Sequence, residues 1–258
     1  MADRTRGVLF PERLPRLDRV APGEAAGAVS WFWVPQWDLP PGVVSRQPLL
    51  AYPAANLVVQ DGQVHLWGAT TRVGERVLQG SGWAVGALLR PAALAVLSDA
   101  PSALVDDSRE VDEPDLVRAV TMAMPDVPAA CSAMAAWLID RVGAPEGERA
   151  LANDMVDLLS SDPAVLRVED AARRLRVSVR TLQRLAHRTV GLSPAAIIRR
   201  RRLQEAAARI REDPAVPLAQ VAVDAGYADQ AHLARDFRTV LAMAPSDYRR
   251  TRAPRERG

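Results

Sequence analysis

Residues 168–185 read VEDAARRLRVSVRTLQRL, and residues 218–237 read LAQVAVDAGYADQAHLARDF. The two stretches share a plan. In the first, Val168, Ala171, Ala172 and Leu175 fall on one face of a short helix, and a turn follows at Arg176-Val177. Ser178 then stands where a second helix needs its N-cap, with Leu182 and Leu185 inward. In the second stretch, Leu218, Val221, Ala222 and Ala225 make the apolar face. Gly226 supplies the left-handed residue that ends that helix, and Asp229 caps the next, where Leu233 and Phe237 turn inward. Helix, tight turn and capped helix is the helix-turn-helix plan, whose second helix can lie in the DNA major groove with its N-terminal residues foremost. Between the two units, Ser193-Pro194 joins an N-cap to a proline at the first helical position, opening a helix that runs to about Glu212, before Asp213-Pro214. At 1.5 Å per residue it spans about 28 Å, close to the roughly 34 Å of one B-DNA turn. A rigid connector of that length suits two reading helices in successive major grooves.

Composition extends this reading to the whole chain. The 258 residues are 48% hydrophobic and 25% charged, enough to bury a core and long enough for two domains. There is no lysine; all 33 basic residues are arginine. Residues 1–163 hold 13 Arg against 21 Asp and Glu, a net charge of −8, and residues 164–258 hold 20 Arg against 10, a net of +10. All six tryptophans (31, 33, 37, 67, 83 and 137) lie in the acidic part. The asymmetry predicts two domains with different partners, the basic one facing something anionic. The single Cys131 excludes an intramolecular disulfide framework and a Cys-rich zinc site. Three scattered histidines (65, 187, 232) offer little for a metal, so no metal and no cofactor are expected. No run of 18 apolar residues suggests a membrane span. The charged start, Met1-Ala2-Asp3-Arg4-Thr5-Arg6, lacks the apolar core of a signal peptide, so a cytoplasmic protein is expected.

The acidic part carries strand signals from about residue 20 to 100. Ser30–Val34 is aromatic and β-branched, and Asn56–Gln60 and Gln63–Trp67 flank Asp61-Gly62, a two-residue type I′ hairpin turn. Gly82–Leu89 reads as a further strand, while Pro40-Pro41-Gly42 and Pro48 mark loops. No phosphate loop and no nucleophile with a base occur there. His65 is read as structural, Cys131 as a small buried apolar residue, and most of the tryptophans as core, with an apolar pocket as their other use. From Glu113 to Ser161 the apolar spacing is helical, with breaks at Asp126, Gly143 and Pro145. The expected fold is therefore α+β in two domains. A small antiparallel β-rich regulatory domain takes residues 1–110, a helical linker or dimerisation segment 111–162, and an all-α domain with two helix-turn-helix units joined by a long helix 163–258.

Residues 164–250 resemble the DNA-binding domain of the AraC/XylS family of transcription regulators. The resemblance is carried by Val177-Ser178-Val179-Arg180-Thr181-Leu182-Gln183-Arg184, Gly191-Leu192-Ser193-Pro194 and Arg202-Leu203-Gln204-Glu205-Ala206-Ala207. It continues through Val221–Leu233 and ends in Pro245-Ser246-Asp247-Tyr248-Arg249-Arg250. The acidic part looks more loosely like the partial cupin-like sensor domains that precede this domain. The chain departs from the family at Arg176 and Ala242, where glycine is common, and at Leu185-Ala186 and Leu233. Cupin-type metal-binding histidines are missing, so no metal site is carried over.

The resemblance implies double-stranded DNA as partner and non-enzymatic regulation of transcription, with RNA polymerase, a small-molecule effector and a second copy of the chain as further candidates and no membrane. Arg180, Thr181, Gln183 and Arg184 occupy the early turns of the first reading helix, and Gln230, Ala231, His232 and Arg235 the equivalent places in the second. Arginine bonds guanine O6/N7 bidentately and glutamine pairs with adenine N6/N7. Arg188 and Arg238 are candidates for phosphate. Each arginine also has the plainer reading of a solvated surface charge. Arg199-Arg200-Arg201-Arg202 wraps around its helix at about 100° per residue, so at most two can face DNA, and one is expected to pair with Glu205 or Asp224. Two other functions stay open: an effector-independent regulator whose N-terminal domain only dimerises or contacts protein, and, remotely, a cupin-type enzyme fused to a DNA-binding domain.

Overall fold

Strand alternation decides which side of the N-terminal sheet is dry. The computed structural model describes residues 16–49 and 53–250; the charged start of the chain lies outside them. Strand β2 (Val29–Asp38) buries Phe32 and Val34 and turns Trp31 and Trp33 to the opposite face. β4 (Asn56–Gln60) and β5 (Gln63–Trp67) do the same with Leu57, Val59, Val64 and Leu66 inward. Their turn is the expected one: Asp61 and Gly62 have φ of 51° and 76°, and Gln60 faces Gln63. With β1 (Arg16–Val20), β7 (Ser81–Trp83), β8 (Val85–Leu89) and β9 (Ser108–Val111) they form one antiparallel sheet in the order β1-β2-β8-β4-β5-β9, with β7 on β2. β3 (Val44–Leu49) and β6 (Gly74–Gln79) make a separate two-stranded sheet.

Two expectations need correction. Pro48 is not in a loop; it lies in β3 opposite Glu75. A strand of a two-stranded sheet has a free edge, where a missing N–H costs no ladder bond. Nor are most of the tryptophans core residues: all six are half-buried, and of them Trp83 and Trp137 pack against the core. The alternation that sends Phe32 and Val34 inward leaves Trp31 and Trp33 on the other face. There the Trp33 ring covers Gly86, where a Cβ would lie 2.1 Å from the ring, and Trp33 Nε1 donates to Asn56 Oδ1 at 2.9 Å. Arg19 stacks on Trp31 and Arg76 on Trp67. His65 lies on this face too, 6.2 Å from the Trp67 ring.

Helices cover the inner face. α1 (Pro91–Leu97), α2 (Pro114–Ala123) and α3 (Val127–Val142) add Leu94, Leu116, Val120, Met134 and Leu138 to the sheet's core. Asp126, three residues past the end of α2, caps α3 by accepting from Ala129 N at 3.0 Å. Cys131 is buried there, and burial pushes its thiol up to about 11. α4 (Gly147–Ser161) packs differently. Its Met155 and Leu159 join the core of the first helix-turn-helix unit. On its way it clamps the N-terminal part: buried Asn153 donates from Nδ2 to Gly27 O at 2.9 Å and accepts from Ala92 N at 3.0 Å.

The basic part folds as α5 (Val168–Arg174), α6 (Val179–Thr189), α7 (Pro194–Glu212), α8 (Leu218–Asp224), α9 (Gln230–Leu241) and α10 (Pro245–Arg250). It has two cores, both built on α7. Ile197 and Ile198 sit with Leu182, Leu185 and Ala186. Leu203, Ala206 and Ile210 sit with Val221, Leu233, Phe237 and Tyr248. Arg176 and Ala242 adopt φ of 56° and 53°. The chain thus keeps the left-handed turns of a glycine without the glycine, at about 1 kcal/mol each. The two parts of the molecule touch closely. Ala69 is fully buried in the first helical core, Val73 N donates to Val240 O at 3.0 Å, and Gly191 lies where a Cβ would be 2.7 Å from Pro101 O.

Two changes test these statements. Asn153→Ala leaves a half-buried carbonyl, that of Gly27, and a buried N–H, that of Ala92, unpaired. It is expected to cost about 2–4 kcal/mol, read as an earlier urea midpoint of the full chain. Ala242→Gly relieves the left-handed strain and returns part of the gain as chain entropy. It is expected to stabilise by roughly 0.5 kcal/mol, read as a higher melting temperature.

Candidate nucleic-acid interface

The second helix of each unit is started by a side chain that leaves the next turns free. Ser178 Oγ accepts from Thr181 N at 3.0 Å, and Asp229 Oδ1 accepts from His232 N at 2.7 Å. Asp229 is therefore occupied as a cap. Apolar residues anchor each helix from below: Leu182, Leu185 and Ala186 under α6, and Leu233, Phe237 and Val240 under α9, are all buried. What remains outward is polar. Arg180, Gln183 and Arg184 on α6, and Gln230 and Arg235 on α9, are exposed, and none of these side chains bonds to another described residue. Ala231 is exposed beside them.

The other singled-out residues are more engaged. Thr181 is half-buried, and its hydroxyl lies 2.8 Å from Ser178 Oγ, within the cap. His232 is half-buried with its ring edge-on to Tyr227 at 5.2 Å. Arg188 is ion-paired with Glu148 of α4, a contact between exposed side chains. Arg238 is exposed in the last turn of α9.

The four consecutive arginines of α7 separate as helical geometry requires. Arg199 is exposed. Arg200 is 3% exposed, and its Nη1 finds no hydrogen-bond partner among the described residues. Burial, and then the neighbouring Arg199, lowers its pKa to about 10, which leaves it charged at neutral pH. Arg201 is 2% exposed and paired with Glu205, as the sequence led one to expect. Asp224 instead accepts from Gln220. Arg202 donates to Ala225 O and Gly226 O and lies 4.1 Å from the Tyr227 ring centre. Burial first, then Asp236, pushes the Tyr227 hydroxyl up, so the ring under Arg202 stays neutral. The role of Arg202 could not be read from its position on a helical wheel, because its partners are carbonyls of a distant turn.

Among the described residues no group of three or more His, Cys, Asp or Glu is placed to hold a metal, and no helix is long and apolar enough to cross a membrane.

A helix-turn-helix domain model matches residues 171–251, and a domain of unknown function, DUF6597, matches residues 19–110. An AraC-like transcription regulator of Streptomyces antibioticus is 37% identical over 97 residues, 37% of this chain and 32% of that protein. A second, of Streptomyces lividans, is 39% identical over 93 residues, 36% of this chain and 30% of the other. The match thus spans about a third of the length of these relatives. Among solved structures, ToxT of Vibrio cholerae gives a TM-score of 0.44 at 11% identity, over 86% of this chain and 99% of that one. Residues 171–251 thus match a helix-turn-helix domain, and about a third of this chain is similar to AraC-like transcription regulators.

Proposed function

We propose that the chain is a sequence-specific DNA-binding regulator of transcription, with α6 and α9 reading successive major grooves of one duplex. The observation that carries this is the pairing of two capped helices on one 19-residue connector, each presenting unpartnered arginine and glutamine in its early turns. Arg180, Gln183 and Arg184 read bases from α6, and Gln230, Ala231, His232 and Arg235 read from α9. Thr181 faces the same groove but spends its hydroxyl on the cap. Arg238 meets phosphate, and Arg188 does so after leaving Glu148.

Residues 1–110 are the regulatory domain in this reading, 111–162 the linking segment and 163–258 the DNA-binding domain. α4 is the piece suited to couple them, because it carries Asn153 on one side and Met155 and Leu159 on the other. The regulatory domain takes a signal by binding a small molecule or a second copy of itself. A groove of about 870 Å³ between the β4–β5 turn, β7 and α2, walled by Trp37, Trp83 and Val117, offers room for the first. Met122, 79% exposed at its rim, favours the second. RNA polymerase is the further partner of a regulator that activates.

The test is selection of bound duplexes from a random library by the full chain at physiological salt. Enrichment of a two-part motif is expected, and failure to enrich any motif would sink the reading. At the selected site Arg184→Ala is expected to cost about 1–3 kcal/mol, with little change on random DNA. Equal losses on both would make Arg184 a phosphate contact. The logarithm of the wild-type binding constant is expected to fall linearly with log salt, since arginines that neutralise phosphates release counterions.

A further inference from the structure

The two helix-turn-helix units meet at one small junction built on consecutive arginines. Arg201 reaches toward the first unit. Its Nε donates to Leu159 O at 3.2 Å, its Nη2 to Val165 O at 2.7 Å, and its Nη1 to both Glu205 oxygens at 2.9 and 3.1 Å. Arg202, about 100° further round α7, reaches toward the second. Its Nε donates to Ala225 O at 2.9 Å, its Nη2 to Gly226 O, and its guanidinium covers Tyr227. The loop after α4 closes the circuit, because a Cβ on Gly226 would lie 2.9 Å from Leu166 Cδ2. Loop, connector and turn are thus in mutual contact, and Tyr227 passes the contact on to His232 of the second reading helix.

We propose that this junction sets the spacing between the two reading helices, with Arg202 the positioning residue that fixes α9 against α7. The proposal rests on the regulator reading above. The two apolar cores hold each unit to α7, but burial of apolar surface is non-directional and resists separation more than rocking. A guanidinium fork bonded to two successive carbonyls is directional, and here it holds the turn just past the end of α8. The operator class that fits is a two-part duplex site of fixed spacing, one that tolerates a base change within a part better than an insertion between the parts.

The experiment uses the full chain and the selected site. Inserting two base pairs between the parts turns the second part by about 70° and moves it about 7 Å. The wild type is expected to lose at least about tenfold in affinity on insertion, the scale of a mismatched pair. Arg202→Met keeps the length and removes the donors; its penalty for the same insertion is expected to shrink below about threefold. Arg202→Lys is expected to behave like Arg202→Met, because an ammonium does not bridge two carbonyls and stack at once. Leu166→Ala, at a residue 44% exposed and so compatible with folding, is expected to shrink the penalty too. An unchanged penalty in the folded Arg202→Met and Leu166→Ala variants overturns the proposal, as does a wild type indifferent to the insertion. A wild type that selects no motif removes the regulator reading itself, a result distinct from loss of spacing control alone.

Discussion

The connector α7 has to be a core element twice. Its first two turns place Ile197 and Ile198 against α6, and its later turns place Leu203, Ala206 and Ile210 against α8 and α9. A helix that serves two cores presents apolar groups on more than one face, which leaves few positions for its arginines. Two of the four consecutive arginines are accordingly buried, and one of those is bonded to backbone and to Glu205. Arg199 and Arg209 of α7 stay outward, while the unpaired arginines of the candidate interface lie on α6 and α9, where apolar residues hold a single face. Burial on the connector thus decides which of its own arginines are left to carry charge outward.

Much of the basic half was legible because its signals are local. Ser178, Ser193 and Asp229 cap within three residues of themselves, and Gly226 ends its helix through its own backbone angle. The Asp61-Gly62 hairpin was legible for the same reason. What escaped depends on partners far away in sequence. β1 and β9 are short edge strands recognisable only from β2 and β5 beside them. Trp31, Trp33 and Trp67 were misread because aromatic bulk suggests a core, while the pleat had already given the inner face to Phe32, Val34, Val64 and Leu66; Trp83 and Trp137 do pack against that core. At the interface, Arg180, Gln183 and Arg184 could be placed from helical period alone, whereas the Glu148 partner of Arg188 sits 40 residues earlier.

The link between the halves rests on amide chemistry more than on charge. Asn153 satisfies one donor and one acceptor of the N-terminal part from a helix whose Met155 and Leu159 belong to the core of the first helix-turn-helix unit. The −8 and +10 halves attract each other at long range, but screened surface pairs such as Arg188–Glu148 add little to that. A buried bidentate amide and a backbone bond such as Val73–Val240 persist in salt. The halves can therefore stay docked under ionic conditions that would weaken contact with DNA.

The tryptophans have one more consequence. All six lie between residues 31 and 137, half-buried, and none occurs from residue 164 onward. Intrinsic indole emission is therefore a one-sided optical reporter: it sees the polarity around the acidic half and has no fluorophore of its kind in α5–α10. A change in emission colour on adding a duplex would be a signal that has crossed the molecule, recorded without any label.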